Sequence, residues 1–120
     1  PGSGKSSLAL ALIDRGAVLI GDDHVTLRHN GAWLLASPPP NIEALIEVRN
    51  VGLIRMDTAR DVPVSLVIRL DAGAERLPSG PENRLLLGEN IPLLRLWPDA
   101  QQIALRATWA MKLHGLAVSG

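Results

Sequence analysis

The sequence predicts an α/β domain with a mixed sheet, and three features indicate this class. A glycine-rich turn, "PGSGKSS", leads directly into a helix-forming run. Short apolar runs rich in Val, Ile and Leu recur at 17–20, 62–70 and 91–97. A second helix-forming run follows residue 99. Helical segments that flank buried strands are typical of a sheet covered by helices.

The first predicted helix begins where the glycine-rich turn ends. The run "SSLALALIDRG", from Ser6, is rich in strong helix formers. Arg15 provides a basic residue in the last turn, and Gly16 stands where a left-handed cap closes a helix. We therefore expect a helix from the turn to about residue 15.

A pair of aspartates follows the next apolar segment. The run "AVLI" at 17–20 is short and wholly apolar, so it is predicted to be a buried strand that ends at Gly21. Asp22 and Asp23 stand at the exit of that strand. Because ligands of α/β sheets bind beyond the carboxyl ends of the strands, both carboxylates are expected near the glycine-rich turn.

The middle of the chain predicts a β-hairpin and a stiff connector. Two strand-like runs flank Asn30 and Gly31, the dipeptide that a tight hairpin turn prefers. The three prolines at 38–40 cannot continue a strand ladder, because proline lacks an N–H donor. The segment 41–56 is ambiguous between a helical turn at its start and a strand or loop near its end.

The second half of the chain predicts a strand, a loop, a strand and a helix. The run 62–70, "VPVSLVIRL", is the clearest candidate for a central strand. A polar, Gly- and Pro-rich surface loop at 71–84 separates it from the strand 91–97. Asp99 is predicted to cap the last helix, which ends at Gly115. No internal repeat is found.

Composition excludes several classes of function. With 47% hydrophobic residues, a chain of 120 residues can bury a core without a disulfide or a metal. Twelve basic residues balance twelve acidic ones, so a nucleic-acid partner or an anionic membrane is not expected. Cysteine is absent, which excludes thiol nucleophiles and cysteine zinc sites and is typical of a cytoplasmic protein. No apolar run reaches the roughly 18 residues of a membrane span.

The glycine-rich turn predicts a phosphate-binding loop. In the pattern G-x-x-x-x-G-K-[ST], Gly4, Lys5 and Ser6 fill the last three places, and the first glycine would fall two residues before Pro1. We therefore expect residues 1–120 to be one domain that is incomplete at its N-terminus. Such a loop surrounds an anion with backbone N–H groups and the positive end of a helix. The predicted nucleotide-binding residues are Gly2, Ser3, Gly4, Lys5, Ser6 and Ser7. A chance glycine-rich helix start is the alternative.

Within that loop, the residue types indicate ATP and Mg²⁺. The lysine at position 5 would reach the β and γ phosphates, and the hydroxyl of Ser6 would ligate the metal. Asp22 and Asp23 supply the oxygen ligands that Mg²⁺ prefers. Adjacent residues of an extended segment face opposite ways, so one carboxylate could face the metal and the other an acceptor hydroxyl as a general base. A solvated acidic turn is the alternative for this pair.

Three motifs in order resemble the HPr kinase/phosphorylase family. They are "GKSSLALALIDRG", "LIGDDHV" and "PPPNIEALIEVRNVGLI", and together they cover about residues 1–56. The resemblance implies a P-loop kinase catalytic domain with a PEP carboxykinase-like fold, a mixed sheet and a β-hairpin insert. It also implies ATP-dependent phosphorylation of a serine on HPr, the small phosphocarrier protein of the phosphotransferase system. In many members the same site removes the phosphate by phosphorolysis, and members assemble into hexamers.

The same resemblance implies a role for each site residue. Asp23 would take the serine proton, while Asp22 would support the metal and its waters. Glu47, within the signature "EVRNVGLI", would be a second Mg²⁺ ligand beside Ser6. Arg76, in "ERLPSG", matches the catalytic arginine of the family. Lys5 would contact the phosphates.

Two departures from the family pattern stand out. Asn50 replaces a signature glycine, although asparagine tolerates a positive φ better than most residues. The later family segment V-x-x-G-R-N, tied to dephosphorylation, has no clear match beyond Arg95. Two other functions stay open, namely a kinase of the same fold that acts on a small metabolite and a regulatory module that binds ATP without transfer. Trp33, Trp97 and Trp109 are predicted to be core or interface residues rather than nucleotide stackers.

Overall fold

The structure is a computed structural model that describes residues 4–22, 24–40 and 44–117. Within these ranges the elements, in chain order, are α1 (Lys5–Asp14), β1 (Thr26–Asn30), β2 (Trp33–Ser37), β3 (Leu45–Val48), β4 (Gly52–Arg55), β5 (Val62–Pro63), β6 (Val67–Leu70), β7 (Glu82–Leu86), β8 (Glu89–Leu96) and α2 (Ile103–His114). No helix among them has the length and apolar character needed to cross a membrane.

The main sheet is mixed, as predicted. Its strand order is β6-β8-β7, with β6 parallel to β8 and β7 antiparallel to it. Both helices pack against this sheet and against each other. The core combines buried residues with half-buried neighbours: Leu94, Leu96, Ile103, Ala107 and Ala110, packed with Leu8, Leu12, Leu66, Ile68 and Leu70. The α/β class is therefore confirmed.

The predicted hairpin of the middle segment is confirmed, with its turn shifted by one residue. Strands β1 and β2 pair antiparallel, and Asn30 lies opposite Trp33 as the last pair. The two loop residues are therefore Gly31 and Ala32, not Asn30 and Gly31. Gly31 has a φ of 64°, so the position that needs left-handed backbone does carry glycine. Strand β5 then adds to β2 and completes a three-stranded sheet.

The ambiguous segment before residue 57 forms a second hairpin. Strands β3 and β4 pair antiparallel, from Leu45 opposite Arg55 to Val48 opposite Gly52. Asn50 lies in the turn with a φ of 68°. The turn is closed by the Val51 N–H, which donates to the Val48 carbonyl at 2.9 Å. Asparagine thus occupies a left-handed position where the resembled family has glycine. Residues 41–43, where a helical turn was considered, lie outside the described residues.

The strand predicted at 17–20 is wrong. Leu19 forms an isolated parallel bridge with Thr58. Within the described chain this bridge does not extend into a strand ladder. Val18 is 58% exposed, whereas Leu19 is buried. The cause is the helix end, because the Ala17 N–H closes α1 by donating to the Leu12 carbonyl at 3.0 Å. With Gly16 at a φ of 104°, these residues terminate the helix instead of starting a strand.

The single central strand predicted at 62–70 is also wrong. The run divides into β5, which pairs with β2, and β6, which pairs with β8 at the edge of the described main sheet. The change of sheet occurs at Ser65, which is buried and whose hydroxyl donates to the Leu116 carbonyl at 2.7 Å. Its own carbonyl accepts the Leu116 N–H at 2.9 Å. Because Ser65 bonds to the segment after α2, it leaves the sheet ladder.

Two boundaries in the second half differ from the prediction. The strand β7 begins at Glu82, inside the predicted loop 71–84. Helix α2 begins at Ile103, and Asp99 does not cap it, because the N-cap is Gln102. Instead Asp99 accepts the Gln101 N–H at 3.0 Å and forms a turn before the helix. The predicted end at Gly115 is confirmed.

One arginine joins the three strands of the main sheet. Arg95, on β8, donates two hydrogen bonds to Glu82 at the start of β7, at 2.6 and 3.2 Å. It also donates to Asp71, the residue after β6, at 3.0 Å. The guanidinium lowers the pKa of Glu82, and the Gly73 N–H and then Arg95 lower that of Asp71. Both acids in turn raise the pKa of Arg95.

The contacts of Arg95 with Asp71 and Glu82 are expected to make the stability of the fold depend on pH. Because both carboxyl groups have lowered pKa values in the folded protein, their stabilisation is present above about pH 4 and is lost as the pH falls through the folded values. Arg95→Gln should therefore lower the melting temperature most near neutral pH, and the difference from the wild type should shrink as pH drops below about 4. Thermal unfolding of both proteins from neutral pH to below about pH 4 measures this difference in melting temperature. Arg84→Gln removes the same charge from an exposed site and is the control. An equal pH dependence in both variants would contradict the assignment.

The left-handed backbone at Asn50 is also expected to affect stability. Asn50→Ala should lower the free energy of unfolding by about 1 kcal/mol, because alanine tolerates left-handed backbone less well than asparagine does. Asn50→Gly should leave stability unchanged or raise it slightly, since glycine accepts this φ. Urea unfolding of the two variants compares them. If glycine and alanine destabilise equally, backbone strain is not the cause.

Candidate functional site

The start of α1 presents backbone N–H groups without acceptors in the helix. Gly4 is the N-cap, with a φ of 89°, and its carbonyl accepts the Leu8 N–H at 3.0 Å. The N–H groups of Lys5, Ser6 and Ser7 precede that first helical bond and have no partner within the helix. No side chain of residues 4–22, 24–40 or 44–117 caps this end, and no acidic residue lies in the first turn. The helix end therefore keeps its partial positive charge available for an anion.

This helix end lies at the carboxyl end of a parallel strand pair. A β-carbon built on Gly4 would lie 3.7 Å from Cδ1 of Leu70, the last residue of β6. The neighbouring β8 runs parallel to β6 and ends at Leu96 in the same register. Ligands of α/β sheets bind at this end of the strands. The glycine-rich turn is therefore in the place where such folds bind ligands.

Two of the predicted site residues are joined by a hydrogen bond. The Ser6 hydroxyl donates to Oδ1 of Asp22 at 3.0 Å, and both residues are half-buried. Sixteen positions separate them in the sequence. The chain returns to the helix start because Leu19 is buried and bridged to Thr58 just before Asp22. A hydroxyl and a carboxylate oxygen are both of the ligand type that Mg²⁺ prefers, so these two residues fit a metal at this point.

Lys5 faces a wide basic cleft. The cleft has a volume of about 560 Å³ and lies between the start of α1 and the main sheet. Its lining residues are Lys5, Leu8, Val67, Ile68, Arg69, Leu70, Arg84 and Leu93. The lining has three cationic side chains and no acidic one, so the region beside the glycine-rich turn has a positive electrostatic character.

Glu47 belongs to the second hairpin. It occupies the middle of β3, opposite Leu53, and is exposed. No group of three His, Cys, Asp or Glu side chains that could hold a metal occurs in residues 4–22, 24–40 and 44–117. Its role as a metal ligand stays a prediction. The predicted residues Gly2, Ser3 and Asp23 lie outside the described residues.

Arg76 lies in the loop that joins β6 to β7, at the same end of the sheet. It lines a cavity of about 130 Å³ together with Arg95, Trp97 and Arg106. Arg95 is engaged by Asp71 and Glu82, and Arg106 donates to Asp99 at 3.2 Å. Arg76 has no ion pair in the part of the chain that the structure describes. Its charge is therefore available to a ligand.

Sequence reasoning missed the contacts that hold the Arg76 loop. The Gly73 N–H donates to Oδ1 of Asp71 at 2.8 Å, and the Trp97 indole N–H donates to the Ala74 carbonyl at 2.6 Å. The first contact has a signal in the sequence, because Asp followed two residues later by Gly is typical of an Asx turn. The bond from Trp97 to Ala74 has no such signal in the sequence. Trp97 and Trp109 are 38% and 53% exposed, so neither is a core residue.

Comparisons with known proteins agree on one family. Residues 1–95 match the family model described as the HPr serine kinase C-terminal domain. Two curated relatives are called HPr kinase/phosphorylase, one from Lacticaseibacillus casei strain BL23 and one from Lacticaseibacillus paracasei strain ATCC 334. Each is 31% identical over 104 residues, a match that covers 76% of this chain and 33% of the relative. The chain thus spans about a third of the length of these relatives.

A solved structure has the same fold. The Hpr(Ser) kinase/phosphatase from Coxiella burnetii is similar with a TM-score of 0.74 and 28% sequence identity. The similarity covers 91% of this chain and 75% of that one. Since the family model also matches most of the sequence, the chain belongs to the HPr serine kinase C-terminal domain family.

Proposed function

We propose that this chain is the ATP-binding catalytic part of a kinase that phosphorylates a serine of HPr, the small phosphocarrier protein of the phosphotransferase system. The observation that carries the proposal is the hydrogen bond between Ser6 and Asp22 at the uncapped start of α1. It joins a hydroxyl and a carboxylate at a helix end that attracts anions. The names of the relatives supply the acceptor, HPr.

The glycine-rich turn is the proposed phosphate site. The backbone N–H groups of Lys5, Ser6 and Ser7 point out of the helix end and would donate to phosphate oxygens. The ammonium of Lys5 would contact the β and γ phosphates. Gly2, Ser3 and Gly4 complete the proposed loop. The cationic lining of the adjacent cleft favours the approach of a polyanion.

The direction of one hydrogen bond prepares Ser6 to bind a metal. Because the hydroxyl donates its proton to Asp22, the lone pairs of Oγ stay free to coordinate a cation. Ser6 and Glu47 are the proposed Mg²⁺ ligands, and Asp22, which accepts the hydrogen bond from Ser6, would orient the Ser6 hydroxyl. When bound, Mg²⁺ would neutralise part of the phosphate charge.

The proposed reaction is a phosphoryl transfer. The serine oxygen of HPr forms a bond to the γ phosphorus, and the bond from that phosphorus to the bridging oxygen breaks. ADP leaves with the electron pair, and the serine proton passes to the Asp23 carboxylate. Arg76 would stabilise the charge on the transferring group, as basic side chains do in other phosphoryl transferases.

Phosphorolysis at the same site is proposed from the name phosphorylase of the relatives. An oxygen of inorganic phosphate would bond to the phosphorus of the phosphoserine, and the bond to the serine oxygen would break. Pyrophosphate would form, and the serine oxygen would take a proton from Asp23.

Radiolabel transfer tests the function directly. The full-length protein is incubated with γ-labelled ATP, Mg²⁺ and HPr, and label on an HPr serine supports the proposal. Label on a small metabolite would indicate a metabolite kinase of this fold. ATP binding without transfer to any acceptor would indicate a regulatory module. Each of the last two results would contradict the proposed function.

Asp23→Asn should separate binding from transfer. A general base contributes roughly 10²- to 10⁴-fold in rate, so transfer to HPr should fall by that amount. ATP affinity should stay near the wild type, because the proposed role of the carboxylate is to take a proton. Transfer kinetics and calorimetric titration with ATP measure the two quantities. Equal loss of both would exclude the role as base.

Asp22→Ala should weaken the metal site selectively. Loss of a group that orients a metal ligand typically costs about 10- to 100-fold in metal affinity. Affinity for ATP should therefore fall in the presence of Mg²⁺ and change little in its absence, as measured by calorimetry. Asp14→Ala removes an exposed carboxylate from the other end of α1 and is the matched control. An equal loss with and without Mg²⁺ would show that Asp22 has another role.

A further inference from the structure

We propose that Trp97 is a positioning residue for Arg76, acting through the main chain of the loop that carries Arg76. The inference rests on the proposed function, in which Arg76 contacts the transferring phosphoryl group. The indole N–H of Trp97 donates to the carbonyl of Ala74 at 2.6 Å, two residues before Arg76. The same indole lines the cavity into which Arg76 faces.

The backbone at Trp97 directly follows strand β8. It directly follows Leu96, which is buried and is the last residue of β8. The Leu96 carbonyl accepts the Asp71 N–H at 2.8 Å, which continues the pairing between β8 and β6 past the end of β6. The backbone from which the indole extends is therefore held by the central strand of the main sheet.

The indole ring is also held from helix α2. The Arg106 guanidinium lies over the Trp97 ring, 5.6 Å from its centroid. Arg106 is itself oriented by Asp99, whose Oδ2 accepts from Nη2 at 3.2 Å. A cation over an aromatic face favours one ring orientation. The cation over the ring face and the hydrogen bond from the N–H to Ala74 thus both restrict the indole.

The hydrogen bond from Trp97 to the Ala74 carbonyl is the last one that holds the loop before Arg76. The loop begins with a turn at Asp71, where the Gly73 N–H donates to the Asp71 side chain and the Ala74 N–H donates to its carbonyl at 3.1 Å. In the part of the chain that the structure describes, residues 75–80 make no hydrogen bond. Without the Trp97 indole, the last hydrogen bonds that hold the loop before Arg76 would be those of the turn at Asp71. The position of Arg76 would then be less restricted.

The expected effect is on turnover and not on nucleotide binding. Arg76 is proposed to stabilise charge that develops during transfer, and it lines a different cavity from Lys5, so a looser loop should leave ATP affinity unchanged. Positioning of catalytic groups contributes strongly to rate, and small displacements can cost up to about 10²-fold. A single lost hydrogen bond at the loop should lower kcat by about tenfold.

The test compares Trp97→Phe with Trp109→Phe in the full-length protein. Phenylalanine keeps an aromatic face for Arg106 and loses the N–H donor. Trp109 is the matched control, because it is also exposed and lies under a cation, Lys112, at 4.9 Å, and its indole makes no hydrogen bond to any described residue. Trp97→Phe should lower kcat with the KM for ATP unchanged, and Trp109→Phe should change neither. Equal kcat values in both variants would overturn the proposal.

A double-mutant cycle separates positioning from a general structural role. In the Arg76→Ala background, Trp97→Phe should lower kcat no further, because the group that it positions is gone. If Trp97→Phe lowers kcat by the same factor in both backgrounds, it does not act through Arg76. Replacement of Trp97 by benzothienylalanine, which has sulfur in place of the N–H, should reproduce the loss with ring size kept. Wild-type turnover in that variant would also overturn the proposal.

Trypsin reports on the loop independently of kinase activity. Cleavage after Arg76 needs a locally mobile chain, so Trp97→Phe should raise the cleavage rate there relative to the wild type and to Trp109→Phe. An unchanged rate contradicts the proposal whatever the activity. If Arg76→Ala has no effect on transfer, the role of Arg76 in the proposed function is wrong, while faster cleavage in Trp97→Phe still shows that the indole restrains the loop.

Discussion

The packing of α1 on the main sheet is the constraint on which the site depends. Leu8 and Leu12 lie one helical turn apart and pack with the core cluster built on β6, β8 and α2. This packing sets the helix with its start beside Leu70, at the carboxyl end of β6. A helix packed at another height would carry the same N–H groups to a place with no cationic cleft and no Asp22. Apolar contacts on one face of the helix therefore position its polar end.

Charges near this end of the sheet divide into paired and available groups. Arg95 is engaged by Asp71 and Glu82, and it joins three strands. Lys5 and Arg76 have no ion pair within the described residues and face cavities. A paired guanidinium mainly stabilises structure, whereas an unpaired cation beside a cavity keeps its charge for a ligand. The same residue types thus serve the fold in one place and the proposed site in another.

Local patterns in the sequence were sufficient for some features and not for others. The helix after the glycine-rich turn, the first hairpin and the positive φ tolerated by Asn50 follow from residue types within a few positions. The apolar run 17–20 failed as a strand because Ala17 closes the preceding helix, and 62–70 failed because its halves pair with different strands. The bond from Trp97 to Ala74 joins residues 23 positions apart, and no local pattern contains it. For the site, Ser6 and Asp22 are joined by a hydrogen bond between residues that the sequence had placed at one sheet edge, and the role of Glu47 stays a prediction.

In the proposed function, nucleotide binding and phosphoryl transfer depend on different local contacts. The glycine-rich turn is positioned by α1, through its packing on the sheet, and Ser6 is oriented by Asp22. The Arg76 loop is held by β8 and α2, through Trp97 and Arg106. Both sets of contacts are built on β8 and α2, but among the described residues no hydrogen bond joins the segment 71–76 or Trp97 to residues 4–8, so a looser loop is expected to leave the turn in place. Under the proposed function, changes around Trp97 would therefore alter the rate of transfer without altering the affinity for ATP.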